Sequence, residues 1–434
     1  MVYKLFKIAF RNLMRYKRRT LLTTSIVTIG VIFVLLFVAL AGSFKNSMIS
    51  EITDSMLGHL QVHHRGYLAS SDSLPLNLNL SSGDYERVAR VLESLPEVNS
   101  FSPRIKFGGM FSTFVETTNI RLNGVYPERE FETVPLLASR VSRGGLSLGR
   151  GEILVPETLA RAMQVKPGDA VVIVATNKDG SVNGMQFTVT GMMESVTGPG
   201  GRDGYIHIQD AAELLRMEEM EISEVAVRLE DFSALTAVKA RLEGLLGGVA
   251  EAGGESGVGA GLNPDAGPKA DPGSGKPPLY EVHSWDQLSP FSSIARMIDL
   301  MTASLTVILV AVVLISIMNV MIMAVYERIR EIGTIAAIGT RPGRILSMFL
   351  IEGFFLGAIG AAAGNLIGGL ALLGINQAGI SFGFGKQKLM LEASVDPVVV
   401  AIITIVVMFV SVVASLEPAF KASRMDPIKA LRHV

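Results

Sequence analysis

Polar and apolar positions along this chain fall into long blocks. Four stretches carry no charged side chain: Thr20–Phe44, Leu300–Tyr326, Gly353–Ile375 and Val398–Leu416. A helix needs about 20 mostly apolar residues to cross roughly 30 Å of hydrocarbon, and it satisfies its own backbone while doing so. Each stretch is long enough, so four transmembrane helices are predicted. A polar block, Lys45–Met297, separates the first from the other three. Within it the period changes repeatedly. Leu60–His64, Ile105–Val115, Thr118–Val125, Ala170–Ala175, Met185–Thr190, Tyr205–Ile208, Glu224–Leu229 and Tyr280–Ser284 read as strands. Asp84–Leu95, Glu157–Met163, Gln209–Met217, Ser233–Leu246 and Trp285–Met297 read as helices. Such alternation predicts one or two α/β subdomains.

Lys and Arg set the orientation. Lys4, Lys7, Arg11, Arg15, Lys17, Arg18 and Arg19 precede the first span with no acid among them. Arg328, Arg330, Arg341 and Arg344 lie between the second and third spans, and Lys421, Arg424, Lys429 and Arg432 follow the fourth. The short 376–397 loop has only Lys386 and Lys388. The positive-inside rule puts both termini and the 327–352 connection in the cytoplasm, and the large block outside. The fold class is therefore an α-helical membrane protein with four transmembrane helices plus a large α/β extracytoplasmic domain inserted between helices 1 and 2. Its parts read as a basic amphipathic helix at 1–19, spans at 20–44, 298–326, 345–375 and 398–416, and an outer domain at 45–297. A charged connector at 327–344, an outer loop at 376–397 and an inner tail at 417–434 complete it. The amphipathic helix reads equally as a headgroup-layer element that moves with the first span and as an ordinary basic flank. Ala39-Leu40-Ala41 resembles a signal-peptidase site, but the apolar run exceeds the usual 7–15 residues, about, of a signal peptide core, so it is read as a span.

The net charge of −1 changes little, because the basic residues cluster beside spans and give no footprint for nucleic acid. With 0 cysteines there are no disulfides or thiolate metal sites, which suits a bacterial envelope protein. Gly247–Pro278 holds 10 Gly and 5 Pro, too few large apolar residues to order itself, and is read as a flexible loop. Its Gly273-Ser274-Gly275-Lys276 imitates a phosphate loop, but Ala270 stands where the motif needs Gly and Pro277 follows the lysine. No ATPase is read in this chain. His59, His63 and His64 form the one histidine cluster, and it is read as a solvated strand face rather than a metal site, since no carboxylate partner is evident nearby. No nucleophile–base or paired-carboxylate spacing stands out, so the chain is read as non-catalytic and without a metal.

Gly360, Gly364 and Gly368 repeat every four residues in span three and share a helix face. Close helix packing is the preferred reading, a glycine-lined substrate groove the sharper alternative. Glu352, at the inner edge of that span, either reaches the interface or takes part in coupling. Tyr326–Gly339 is helical in pattern, ends at Gly339 and turns through Pro342. It is too short and too charged to span. A docking surface for a soluble partner and an interfacial connector both fit it.

These residues resemble the FtsX-like permease family, which includes the macrolide-exporter type and the lipoprotein-releasing type of ABC transporter permease. Three motifs carry the resemblance: Glu327-Arg328-x-Arg330-Glu331-Ile332-Gly333 continuing to Ala337-x-Gly339; Phe349-Leu350-Ile351-Glu352; and Pro418-Ala419…Ala422-Ser423…Asp426-Pro427-Ile428-x-Ala430-Leu431. The resemblance implies a type VII ABC half-transporter. Glu327, Arg328, Arg330, Glu331, Ile332, Gly333, Ala337 and Gly339 would engage a dimer of cytoplasmic ATPases, which would hold the ATP and Mg. The chain itself would bind no cofactor. A second permease, as homo- or heterodimer, membrane lipid, and a periplasmic adaptor or lipoprotein acceptor are the other implied partners. Gly58–Tyr67 looks similar to the lipoprotein-releasing type and the coupling segment to the macrolide-exporter type. Release or export of lipoproteins or other hydrophobic envelope substrates from the bacterial inner membrane is the leading expectation. Drug or peptide efflux, and mechanical activation of a periplasmic partner without transport, are the alternatives.

Overall fold

A computed structural model describes residues 11, 14–15, 17–194, 203–252, 279–379, 381–384, 387–390, 393 and 396–432. Most of the N-terminal amphipathic segment, the 253–278 part of the Gly/Pro-rich loop with its lysine motif, and much of the 376–397 loop lie outside them. The chain divides into two compact units, Met48–Ser292 and the combination of Met1–Ser47 with Ser293–Val434.

The second of these is helical. Four helices, Thr20–Leu57, Ser292–Glu327, Pro342–Gln377 and Pro397–Ser423, are long and apolar enough to cross a membrane. All overrun their charge-free stretches. The first continues as regular helix to Ile52 and the second begins at Ser292, because the flanking Lys45, Asn46 and Asp299 are compatible with helix and meet across it: Lys45 Nζ lies 2.6 Å from Asp299 Oδ1. The third helix supplies the closest approaches. A Cβ placed on Gly360 would lie 2.6 Å from Val27, on Gly364 2.6 Å from Val31 and on Gly368 3.1 Å from Leu35. Gly353 and Gly357, one face around, meet the Ser415 and Ser411 hydroxyls of the fourth helix, and Asn365 donates to Thr404 Oγ1 at 2.7 Å. Glycine here lets backbones approach where hydrophobicity cannot drive helices together, because lipid is equally apolar.

The α/β unit is built on one mixed sheet. Its strands are β1 (Leu60–His64), β2 (Val98–Ser112), β3 (Thr117–Val125), β4 (Val141–Gly144), β5 (Glu152–Pro156), β6 (Ala170–Thr176), β7 (Val182–Met193), β8 (Asp203–His207), β9 (Glu224–Leu229) and β10 (Tyr280–Ser284). The order is β10-β1-β9-β2-β3-β8-β5-β7-β4, with β6 bridging β2 and β7. The chain thus enters through β1 and leaves through β10, and these two strands pair antiparallel, Gln61 opposite His283. Leu60, Val62, Ile105, Phe107, Val225 and Val227 fill the core beneath the helices Ser82–Glu93 and Leu235–Ala252. Ser81 caps the first of these helices by accepting from the Asp84 N–H at 3.2 Å.

Four expectations need correction. Strand β2 starts seven residues before Ile105: Val98 and Ser100–Arg104 already pair with β9, and Pro103 is accommodated opposite Val225. Strands β4 and β5 escaped notice: each is short and bounded by Gly144-Gly145 or Gly149–Gly151, which read as loop. Trp285–Met297 is not one helix. Ser284 and Gln287 form a capping box on the short helix Trp285–Leu288, Pro290 ends it, and a new helix starts at Ser292. The Leu235 helix continues through Gly247 to Ala252, six residues past the expected end.

Candidate functional site

The second span ends at Glu327. Arg328 leaves helical geometry with φ −111° and ψ 18°, a new helix runs Ile329–Ala337, and Gly339 closes it at φ +90°, a value only glycine takes without strain. Pro342 then opens the third span helix at its first turn, where its missing N–H costs nothing. Apolar Ile332 is buried against the interior of the helical unit, and Gly333 is buried beside it. The segment packs on the C-terminal helix Pro427–Arg432, which Asp426 caps by accepting from the Ile428 N–H at 2.9 Å.

Arg328 is the pivot of this arrangement. Its side chain is 6% exposed. Nε donates to Glu331 Oε2 at 3.1 Å, Nη1 donates to Glu352 Oε2 at 3.4 Å, and the guanidinium lies 5.8 Å from the Phe349 ring centre. One fork therefore ties the short helix to the third span, a geometry a lysine could not reproduce. Glu331 also receives Arg15 at 3.2 Å from the base of the first span. Glu327, Arg330, Ala337 and Gly339 are exposed, and Ile338 is 80% exposed. The structure thus sorts the eight segment residues into an anchoring set, Arg328, Glu331, Ile332 and Gly333, and an outward set. Glu352 joins the anchoring set, a role its position at the edge of an apolar stretch left open. Gly360, Gly364 and Gly368 lie elsewhere, along the contact with the first span.

The α/β unit holds a second constellation that the sequence reading missed. Arg104 on β2 is buried between Glu130 (2.7 Å) and Glu224 (2.9 Å). Glu224 also takes Lys106 at 3.2 Å and lies 3.6 Å from His63. Burial works to raise the Glu224 carboxyl, but Lys106, His63 and Arg104 outweigh it and hold the group well below the usual carboxylate range. For Arg104, burial alone would lower the pKa; Glu130 and Glu224 raise it instead. This overturns the reading of the histidines as a solvated face. His59 is 6% exposed and His63 1%. His63 stacks on Tyr67 at 5.2 Å and its Nδ1 lies 3.3 Å from that of His283, while His59 Nδ1 accepts the Leu229 N–H at 3.1 Å. Partner carboxylates exist: Asp54, five positions earlier, lies 3.6 Å from His59, and Glu224, far along the chain, lies 3.6 Å from His63. No set of three or more metal-ligating side chains converges among the described residues. Positions 63, 104, 130 and 224 have no local spacing in common, so no sequence pattern could have revealed the network.

Four helices long and apolar enough to cross a membrane are combined with an α/β unit that follows the first of them. The chain belongs to the family of the MacB-like periplasmic core domain, whose model matches residues 20–245, followed by the FtsX-like permease C-terminal model over residues 303–427. It is 24% identical to the lipoprotein-releasing system transmembrane protein LolC of Neisseria meningitidis, over 90% of this chain and 89% of that one. It is 25% identical to the macrolide export ATP-binding/permease protein MacB of Hahella chejuensis, over 98% of this chain but only 59% of the exporter's length. The solved periplasmic region of MacB from Actinobacillus actinomycetemcomitans overlays 55% of this chain and 94% of its own at 12% identity and a TM-score of 0.35. The protein is a multi-pass inner-membrane protein.

Proposed function

We propose that this chain is the permease subunit of an ABC transporter that works with a separate cytoplasmic ATPase. Its termini and the 327–344 segment face the cytoplasm, and its α/β unit faces the periplasm. The carrying observation is the Arg328 fork. It fixes a nine-residue helix to the third span through Glu352 while Arg330, Ala337 and Ile338 face outward. A helix held this way transmits a push from a soluble subunit into the bundle, and the Lys45–Asp299 pair joins the two helices that lead to the outer unit. The similarity to LolC over 90% of this chain and 89% of that one supports the permease reading. Lipoproteins or other hydrophobic envelope molecules are the substrate class this reading favours, handled by a permease pair with a periplasmic acceptor or adaptor.

The test is co-purification from native membranes. An ATPase should accompany the tagged full chain, and its activity in nanodiscs should fall about tenfold or more in Arg328→Lys, which keeps the charge and loses the fork. Unchanged ATPase recovery and activity after scrambling Glu327–Glu331 would sink the proposal.

A further inference from the structure

Beneath the β2–β3 surface of the α/β unit lies a cavity of about 170 Å³. It has room for about five waters, or for one molecule the size of a lipid head group. Its wall carries two cation–carboxylate pairs, Lys106 with Glu224 at 3.2 Å and Arg121 with Asp203 at 3.4 Å, and a third carboxylate, Asp72. Apolar lining residues come from both ends of the unit, Met56 and Leu57 just before β1 and Leu288 and Phe291 just after β10, and together with Leu68 and Leu74 they form its rim.

Three lining residues carry buried polar atoms with no hydrogen bond: the Tyr67 hydroxyl, Arg121 Nε and Asp203 Oδ1. Tyr67 is 2% exposed. Arg121 and Asp203 face each other at 3.4 Å without hydrogen-bond geometry. Orphaned polar atoms at a cavity wall are costly and call for a filling that supplies their partners. Burial pushes the Asp203 carboxyl upward while Lys106 and Arg121 pull it back, and an incoming cationic group would favour its ionised form as they do. A lone anion would have to compete with Asp203 and Glu224 for their cations. A lone metal ion finds no converging ligands among the described residues. A molecule with both charges offers a partner to both members of a cation–carboxylate pair at once.

We propose that this cavity binds a small zwitterion carrying a phosphate and an amine, the phosphate on Arg121 and Lys106 and the amine on Asp203. The source is either the phosphoethanolamine head of a membrane lipid or a free molecule of the same chemistry. Because the rim includes both chain ends of the unit, an occupant would brace the β1–β10 stem through which the chain enters and leaves. The site is independent of the permease reading and of the 327–344 segment.

Titration calorimetry on the full chain, purified in detergent and stripped of lipid, tests it with O-phosphoethanolamine, inorganic phosphate and ethylamine. Saturable binding of phosphoethanolamine, at least about tenfold tighter than either fragment, is expected. Arg121→Gln and Asp203→Asn should each weaken it about tenfold or more. Tyr67→Phe should weaken binding while leaving the ligand-free melting midpoint unchanged or higher, since it deletes an unpaired hydroxyl, so a folding defect cannot mimic the result. Reconstitution in phosphatidylethanolamine or phosphatidylcholine nanodiscs separates the sources. Selective retention of phosphatidylethanolamine by wild type but not by Arg121→Gln identifies the lipid, and equal retention identifies the free molecule. No saturable binding, equal binding of phosphate alone, or unchanged affinity in all three variants would mean a water-filled cavity and overturn the proposal.

Discussion

Arg328 in the helical unit and Arg104 in the α/β unit are both buried guanidinium groups, each between two glutamates, yet they sit in different surroundings. Arg328 bonds Glu331, whose side chain is 42% exposed, and Glu352, 24 positions along the chain. Arg104 bonds Glu130 and Glu224, whose side chains are 0% and 3% exposed, and shares Glu224 with Lys106 and His63. The first pair can loosen by letting Glu331 turn to water. The second has no such outlet, because both of its carboxylates are buried and Glu224 is shared with Lys106 and His63. A clamp open to solvent on one side suits a part that must move. A closed lattice suits a part that must stay rigid while being moved.

The difference is largest when one carboxylate is removed. Glu224→Leu leaves Lys106 and His63 facing an apolar side chain and Arg104 with Glu130 alone, and the loss should be about 3–5 kcal/mol. Denaturant unfolding of the full chain can read it through Trp285, the single tryptophan, which is 7% exposed in the α/β unit. Glu352→Leu should cost clearly less, because Arg328 keeps Glu331. Equal costs would break the comparison.

Next in size is packing. The helical unit relies on close approach, and Gly364 is one of its tight points. A methyl there meets Val31 at 2.6 Å, whereas nothing lies within 4 Å of the same methyl on Gly369. Gly364→Ala should lower stability by about 1–3 kcal/mol through overpacking. Gly369→Ala should be neutral or stabilising by up to about 1 kcal/mol. Thermal midpoints in nanodiscs give both, and a destabilising Gly369→Ala would show that glycine matters for the helix itself and not for the contact.

Acid separates the two units further. The Glu224 carboxyl is held below its ordinary value of 4.5 by Lys106, His63 and Arg104, against burial. The stability it contributes is fully present above that ordinary value and is lost as pH falls toward the lowered one. Each proton taken up on unfolding steepens the loss by about 1.4 kcal/mol per pH unit. Asp203, raised mainly by burial, works in the other direction and regains stability as it protonates. Between pH 5 and pH 3, about, the Trp285-reported midpoint should drop, and the drop should flatten in Glu224→Gln. A slope unchanged in that variant would assign the acid sensitivity elsewhere.

Legibility followed the range of the interactions. The spans could be read because each is a contiguous charge-free run, and the glycines of span three because four-residue spacing puts Gly360, Gly364 and Gly368 on one helix face. The break at Arg328 was harder to see, since nothing in Tyr326–Ile332 forbids continuous helix; tertiary pairing with Glu352 decides it. The charge lattice could not be seen at all. His63 looked like a wet face because Gln61 and His63 alternate with Leu60 and Val62. Only the sheet order, with β1 between β10 and β9 and Glu224 directly opposite His63, shows that face to be covered.

The smallest expected effect bears on the comparison most directly. Arg15 meets Glu331 at 3.2 Å, nearly the same distance as Arg328 to the same carboxylate, but their side chains are 66% and 42% exposed. Two long side chains held in water gain little Coulomb energy and lose rotamer freedom, so Arg15→Ala should change stability by less than about 1 kcal/mol. Whatever it does contribute should vanish at high salt, because the screening length shrinks to about 3 Å at 1 M. The buried Arg328–Glu352 contact, side chains 6% exposed on both sides, should persist there. Melting the wild type, Arg15→Ala and Arg328→Lys at low and high salt tests both statements together. If Arg15→Ala were as costly as Arg328→Lys, or if the Arg328 effect faded equally with salt, burial would not be what distinguishes the anchoring contact from the surface one.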